Sequence, residues 1–288
     1  MAGSQEPSPG SLYLVGTPIG NLSDCSPRAR RVLEGVDRIA CEDSRRTGLL
    51  LRALAIHGRL ISFHQHNQST RIPQLLEVLA AGEAVALVSD AGLPGISDPG
   101  QELVAAARLK AIPVICVPGP CAVTTALVSS GLPTGRFCFE GFLPPRRGPR
   151  QERLWALRDE QRTMVLFEAP HRLLPLLEDL LEVVGDRPVR VARELTKRHE
   201  EQVGPTVGAA LEHFRRVPPQ GECTLVLGGA RPAPGPCWEQ ESLRKGLAEL
   251  VERGLSKREA ARTMAARTGH SRRELYALLH QNERSAEP

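Results

Sequence analysis

No stretch of the chain approaches the roughly 20 consecutive apolar residues that a membrane-spanning helix needs, although apolar residues make up 41% of its 288 positions. Residues 1–10 are small, polar and proline-containing, without the apolar segment of a secretory signal, and read as a disordered tip on a cytoplasmic protein. No two of the seven cysteines (Cys25, Cys41, Cys116, Cys121, Cys138, Cys223 and Cys237) form a Cys-x-x-Cys pair. Their odd number and largely apolar neighbours fit reduced core thiols rather than a disulfide framework. His64 and His66 share one face of an expected strand, but no third ligand is spaced to join them, so no metal site is expected. Gly-x-Gly-x-x-Gly and Gly-x-x-x-x-Gly-Lys-Ser/Thr are both missing, which removes the phosphate cradles of dinucleotide and triphosphate sites. A large charge excess is lacking too, since the net charge is +4.

What charge there is has a pattern. Pro144 to Arg150 holds three arginines, Arg146, Arg147 and Arg150, and no acid, and the stretch from Arg244 to Arg273 carries far more Lys and Arg than Glu. Two basic segments on a nearly balanced chain have the form of a local footprint for a polyanion. Solvated surface arginine is the competing explanation.

Strand-like and helix-like patterns alternate from residue 11 onward, which predicts a mainly parallel sheet with helices on its faces. Strands are expected at 11–15, 38–41, 59–63, 84–88 and 113–117. Ser26-Pro27 opens a helix as cap and first residue, 71–81 is amphipathic, and 122–130 ends at Gly131. Leu132-Pro133-Thr134-Gly135 has the composition of a junction. A second alternating block follows, with strands at 137–140, 163–167, 189–193 and 223–228 and helices at 151–158 and 171–184. Residues 229–240 read as a linker. Beyond them, Ser256-Lys257-Arg258-Glu259 and Ser271-Arg272-Arg273-Glu274 are capping boxes separated by Gly269, a pattern shared by a helix-turn-helix and by a plain helical hairpin. The expected domains are 11–131, 136–229 and a helical tail, 241–281, whose Lys and Arg are suited to grip a nucleic acid.

Ligands of open parallel sheets bind beyond the carboxyl ends of the strands. The segments in those places are Gly16 to Asn21, Glu42 to Thr47, His64 to Asn67, Ser89 to Gly100 and Pro118 to Ala122. They are rich in Gly, Pro and small polar residues, which permit close backbone approach to a ligand. A ligand with an adenosine part, an amino-acid part and no phosphate suits such loops, and S-adenosylmethionine is one. Its cationic sulfur calls for a nearby carboxylate. Asp90 is available for that role, because it has no evident capping duty. Asp98, followed by Pro99, has the pattern of a helix cap and reads as structural, and Asp43 reads as a cap for a helix starting near Arg45.

The stretches Val15 to Leu22, Ser89 to Gly100 and Val117 to Ala122 resemble the signature of the tetrapyrrole-methylase superfamily. Phe139 to Pro144, Phe167 to Arg172 and Ala192 to Lys197 are similar, more narrowly, to its branch that methylates small-subunit ribosomal RNA. The resemblance covers about residues 11–229 and extends to the tail. It implies two α/β domains with the cofactor in the cleft between them, and a homodimer. It also implies 2′-O-methylation of a cytidine ribose, with the substrate RNA in an assembled 30S subunit as the expected partner. The superfamily's first cofactor loop usually reads Gly-x-Gly-x-Gly, whereas here it is Gly16-Thr17-Pro18-Ile19-Gly20, a departure that speaks against a tetrapyrrole substrate. Cys121 stands where relatives often have Ser.

The expected cofactor site is Asp90, Ala91, Gly92, Leu93, Ile96, Cys121 and Ala122, with Pro18 at its edge. A ribose hydroxyl is a weak acid, so a base or hydrogen-bond acceptor is needed. The candidates are Glu168, Glu194 and Lys197, at or just past strand ends of the second domain. Lys197 serves as a base only if burial lowers its pKa; otherwise it contacts phosphate. Glu194 has ion pairing with Arg193 or Arg172 as its alternative role. Arg45, Arg46, Arg146, Arg147 and Arg150 are the expected RNA contacts, the last three on a stiff loop projecting outward. Two rivals stay open: the same fold methylating a tetrapyrrole or another metabolite, and a non-catalytic helix-turn-helix protein that binds nucleic acid.

Overall fold

The computed structural model describes residues 7–231 and 238–284, with side chains described as far as Leu279. Residues 1–6 and half of the expected 229–240 linker, residues 232–237 with Cys237, lie outside the described residues. The chain divides into two compact units, 1–230 and 231–288.

The first unit begins with β1 (Leu12–Val15), α1 (Pro27–Gly35), β2 (Arg38–Cys41), α2 (Ser44–Ala53) and β3 (Leu60–Ser62). It continues with α3 (Gln68–Ala80), β4 (Val85–Val88), α4 (Gln101–Leu109), β5 (Val114–Val117) and α5 (Ala122–Ser129). The five strands form one wholly parallel sheet in the order β3-β2-β4-β1-β5. The inner strands are therefore buried on both faces. Val85–Val88 is buried at all four positions, and separate clusters around Tyr13 and Ile39 on one face and Leu12 and Leu87 on the other cover the sheet. Capping sets the helix starts: Ser26 Oγ accepts from the Ala29 amide at 3.0 Å, and Asp43 caps α2 by accepting from the Arg45 amide at 2.8 Å. Histidines 64 and 66 lie in a turn past the end of β3 rather than on a strand, because β3 stops at Ser62.

The second half of this unit comprises β6 (Phe137–Phe142), α6 (Arg147–Ala156), β7 (Thr163–Glu168), α7 (Pro170–Val183) and β8 (Val189–Arg193). It ends with β9 (Glu201–Val203), α8 (Val207–Arg216) and β10 (Cys223–Leu227). Its sheet runs β6-β7-β10-β8-β9 and is mixed, contrary to the parallel arrangement that strand–helix alternation predicts. Only β6 and β7 are parallel; β10 runs antiparallel to both β7 and β8, and β9 antiparallel to β8. Alternation reports that strands and helices follow one another, and it carries no information on whether a crossover is completed. Here β9, absent from the sequence reading, folds straight back on β8, and the chain enters β10 from the opposite end.

Helix α6 begins four residues earlier than expected and absorbs the arginine-rich segment. Arg150 is 4% exposed and bound to the buried Asp179 of α7, so it does not project outward. Arg147, although exposed, is tied to Asp179 and Glu182. Arg146, the residue before α6, is exposed.

The two halves meet through α5. Its Val123, Ala126 and Leu127 pack with Ile19 against Val165, Ala192, Leu195 and Val226 of the second sheet and its loops. Burial of that much apolar surface holds the two sheets in a fixed relation.

The second unit contains α9 (Gln240–Glu252), α10 (Lys257–Thr268) and α11 (Arg272–Arg284) around its own core of Leu243, Leu247, Leu250, Ala260, Ala261, Met264 and Leu275. Both expected capping boxes form, and Gly269 takes the left-handed cap between α10 and α11.

Candidate active site

A cavity of about 430 Å³ opens between the carboxyl ends of the parallel strands and the second sheet. One wall is built by the segments after β1, β2, β4 and β5: Ile19, Glu42, Arg46, residues Asp90 to Leu93, Ile96 to Asp98, Cys121 and Ala122. The opposite wall is Phe142, residues Phe167 to Pro170, and residues Glu222 to Thr224. The antiparallel register of β7 and β10 pairs Glu168 with Cys223, which brings the end of one strand and the start of the other to the same edge.

The first wall is pinned by backbone bonds. Thr17 and Gly92 exchange both of their backbone hydrogen bonds, at 2.9 and 3.1 Å, joining the segments after β1 and β4. Gly16 and Gly119 touch backbone to backbone: a Cβ on Gly16 would lie 2.7 Å from the Gly119 Cα. The sequence-predicted Asp90, Ala91, Gly92, Leu93, Ile96, Cys121 and Ala122 all line this wall. Pro18 does not; its neighbour Ile19 does. Cys121 is the residue before α5 and its thiol makes no cap bond.

Asp98 corrects the sequence reading. It caps nothing: α4 starts at Gln101 with Gly100 before it, at φ +152, where a Cβ would press to 2.9 Å of Leu87 Cδ2. A glycine is required there by both conformation and space. The segment Ser97-Asp98 is turned into the cavity instead, with Ser97 in the left-handed region at φ +63.

The cavity is acidic. Among the described residues, Glu42, Asp90, Asp98, Glu168 and Glu222 line it against one cation, Arg46. Burial, with the Glu42 charge beside it, pushes the Asp98 carboxyl up to about 6, and burial with Asp90 nearby also raises Glu42. Asp90 accepts the Asp43 amide at 3.1 Å and faces Arg46 at 3.4 Å. Arg45 turns back on Asp43 at 2.9 Å and remains largely exposed.

The three catalytic candidates separate. Glu168 lines the cavity with 2% of its surface exposed; burial raises its pKa, opposed by the Ala169 amide at 2.9 Å and by Arg172 at 3.0 Å. Glu194 and Lys197 lie outside the lining, bound to each other at 2.9 Å. Lys197 also reaches Glu222, on the lining, at 3.1 Å. Burial pulls the Lys197 ammonium down, but the bonds from Glu194 and Glu222 outweigh it and its pKa is raised. The condition for Lys197 as a base is therefore not met. The ion pairs considered for Glu194 are replaced as well, since Arg193 binds Glu201 and Arg172 binds Glu168. Glu194 and Thr196 both hold positive φ, the kind of local strain that concentrates at functional loops. Burial drives the Cys223 thiol up to about 12, so it stays protonated at the cavity wall.

No pattern of composition or spacing separates Phe142, Phe167 and Glu222 from ordinary strand-end residues. Phe142 is 55% exposed, and its ring centroid lies 5.6 Å from that of Phe167. Among the described residues, no group of three or more His, Cys, Asp or Glu is arranged to hold a metal ion, and no helix is long and apolar enough to cross a membrane.

The tetrapyrrole (corrin/porphyrin) methylase family matches residues 11–211. The ribosomal RNA small subunit methyltransferase I of Synechocystis sp. is 51% identical over 270 residues, covering 93% of this chain and 97% of its own. Its counterpart in Thermotoga maritima is 49% identical over 221 residues, or 76% of this chain and 99% of that one. Among solved structures, a uroporphyrin-III-C-methyltransferase from Thermus thermophilus shares 26% identity at a TM-score of 0.55, covering 76% of this chain and 94% of its own. With the family match covering residues 11–211 and relatives of this identity along nearly the whole length, the chain belongs to the tetrapyrrole methylase family, in its ribosomal RNA small subunit methyltransferase I branch.

Proposed function

We propose that the chain transfers a methyl group from S-adenosylmethionine to the 2′ oxygen of a cytidine ribose in small-subunit ribosomal RNA. The observation that carries this reading is the acidic, phosphate-excluding cavity at the strand ends. Arg46, Arg172 and Lys197 pair with Asp90, Glu168 and Glu222, which leaves Glu42 and Asp98 on the lining without a salt bridge to a described residue, an excess of negative charge that disfavours a diphosphate and favours a cation. The volume falls within the range of small-molecule sites, roughly 300–1,000 Å³. Ile19, Leu93 and Ile96 offer apolar surface for an adenosine, while Asp90, Asp98 and Glu42 offer negative charge for the sulfonium and amino groups. When bound, the cofactor supplies a methyl group on a positively charged sulfur.

The protein's own part is to hold and deprotonate the ribose hydroxyl. Glu168 is the acceptor best suited to it, because it faces the cavity and burial raises its affinity for a proton. Arg172 and the Ala169 amide fix the orientation of that carboxylate. Lys197, held as an ammonium, acts as a fixed cation for phosphate, and the exposed Arg45, Arg46 and Arg146 add further contacts of that kind. Phe142 presents a flat face at the cavity for the target base.

The names of the relatives support small-subunit RNA over a tetrapyrrole. On this reading the reaction belongs to the cytoplasm, on assembled 30S particles, with the enzyme acting as a homodimer. On the same reading the body comprises two domains, 11–131 and 136–229, supported by the presence of one sheet in each, and 241–281 is a helical tail. The test is incubation with methyl-labelled S-adenosylmethionine and undermodified small subunits. Label is expected in a cytidine ribose, and label in a base or in no RNA at all overturns the reading.

A further inference from the structure

Helices α10 and α11 enclose a groove of about 840 Å³ within the second unit. Arg258 and Arg262, one turn apart on α10, form one side; Arg272, Arg273 and Tyr276 of α11 form the other. All four arginines are exposed, and Tyr276 is 42% exposed. The floor is Ala261, part of the apolar core of this unit, so the groove stands on packed structure.

Its electrostatics are one-sided. Glu259 is the acid in the lining, and its carboxylate is turned onto the Ser256 amide and hydroxyl at 3.0 and 2.6 Å. Glu274, beside the groove, is engaged in the same way by the Ser271 amide at 3.2 Å. Both carboxylates thus serve the two helix N-termini that open onto this face. Arg147 and Arg150 of the body bind buried or neighbouring carboxylates. In the groove, no salt bridge within 4 Å joins any of the four guanidiniums to a described carboxylate.

We infer that this groove binds an unpaired stretch of RNA, its guanidiniums on successive phosphates and the Tyr276 ring against one base. The inference rests on the reading of the chain as an enzyme acting on RNA and adds the form of RNA that the tail holds. Guanidiniums alone suit any polyanion. An aromatic ring set among them adds a face for a base, and a base can reach such a face only where it is unstacked, in a loop, bulge or single strand. A paired helix has no free base to offer it.

The test uses the full-length protein and fluorescence anisotropy with a labelled, unstructured RNA and a duplex RNA of equal length. Tyr276→Ala is expected to weaken single-strand binding by about fivefold to 150-fold and to leave duplex binding unchanged. Tyr276→Phe retains the ring and the affinity. Tyr276→Leu keeps apolar bulk, so weaker binding in this variant too separates stacking from packing. The Arg262→Ala, Arg273→Ala pair is expected to lower the salt slope for single strands by roughly 1.4, about 0.7 for each phosphate left without its guanidinium. Equal weakening on duplex, an unchanged slope, or preference for polyglutamate over RNA would each overturn the inference. None of these readouts needs methyl transfer. A protein that methylates subunits yet binds single strands as well after Tyr276→Ala refutes the groove alone. One that shows the Tyr276 effect but transfers no methyl group refutes the catalytic reading alone.

Discussion

Arg150 Nη2 lies 2.6 Å from Asp179 Oδ2 across the α6–α7 contact, with the two side chains 5% and 2% exposed. The pair is sealed from solvent, and Arg150 also bonds the Pro145 carbonyl at 3.3 Å. Without Arg150, the buried Asp179 charge keeps only the longer bonds from the exposed Arg147 and from Gln151, at 3.2 and 3.1 Å, and loses its one buried counter-charge. Arg150→Ala is therefore expected to cost about 3–5 kcal/mol in urea unfolding, while the double change Arg150→Met, Asp179→Leu recovers most of it. A fully stable Arg150→Ala protein with a raised KM for RNA would instead return Arg150 to the RNA contacts.

Glu168→Gln keeps shape and removes the proton acceptor. The expected result is a fall in kcat of about 10²–10⁴-fold, with cofactor affinity in calorimetry close to that of the parent. A variant whose kcat falls by less than about threefold, far short of the general-base range, would transfer the role to another group, with Glu222 the next candidate on the cavity lining.

Lys197→Arg tests cation against base. Arginine keeps the charge and gives up no proton at ordinary pH. Because Lys197 is held protonated by Glu194 and Glu222, the arginine variant is expected to retain the larger part of kcat, and Lys197→Met to raise the KM for RNA. A kcat abolished in both variants would make Lys197 the base after all.

Asp98 predicts a pH dependence of two kinds. Its folded pKa, about 6, lies above its ordinary value. Between the two the folded state holds the extra proton, so this group favours folding at low pH and that contribution is lost as pH rises through about 6. Ligand binding runs the other way. The ionised carboxylate attracts a sulfonium, so the preference for S-adenosylmethionine over its uncharged-sulfur product should grow as pH passes about 6 and level off above it. Asp98→Asn should flatten both profiles. A preference that is constant from about pH 5 to about pH 8 in the parent would remove Asp98 from contact with the cationic part of the ligand.

Gly119→Ala places a Cβ 2.7 Å from the Gly16 carbonyl oxygen, on backbone that cannot move without shifting the Thr17–Gly92 bridge. Weaker cofactor binding and a loss of about 1–3 kcal/mol in stability are expected. Gly131→Ala meets nothing within 4 Å and differs only by its φ of +74, so it should cost about 1 kcal/mol and leave binding intact. Equal effects on binding from the two changes would show that the Gly16–Gly119 contact does not shape the site.

Local chemistry was legible in the sequence wherever the deciding interaction joins near neighbours. Ser26, Asp43, Ser256 and Ser271 cap the helices that their spacing predicts, because each bond spans two or three residues. The parallel first sheet and its ligand-facing loops were legible for a related reason: an apolar strand covered on both faces leaves its carboxyl end as the place for polar, glycine-rich segments. Tertiary structure alone decided the rest, because it rests on which distant residues meet. The guanidinium of Arg150 is inside because Asp179, 29 positions away, waits there. Asp98 faces a cavity because Gly100, and not Asp98, precedes α4. Lys197 stays charged because Glu222, from the segment leading into β10, completes its shell. The direction of β10 follows from a two-strand reversal that no periodicity marks. Charge and burial depend on partners brought together by the fold, and a pattern within one segment holds no record of them.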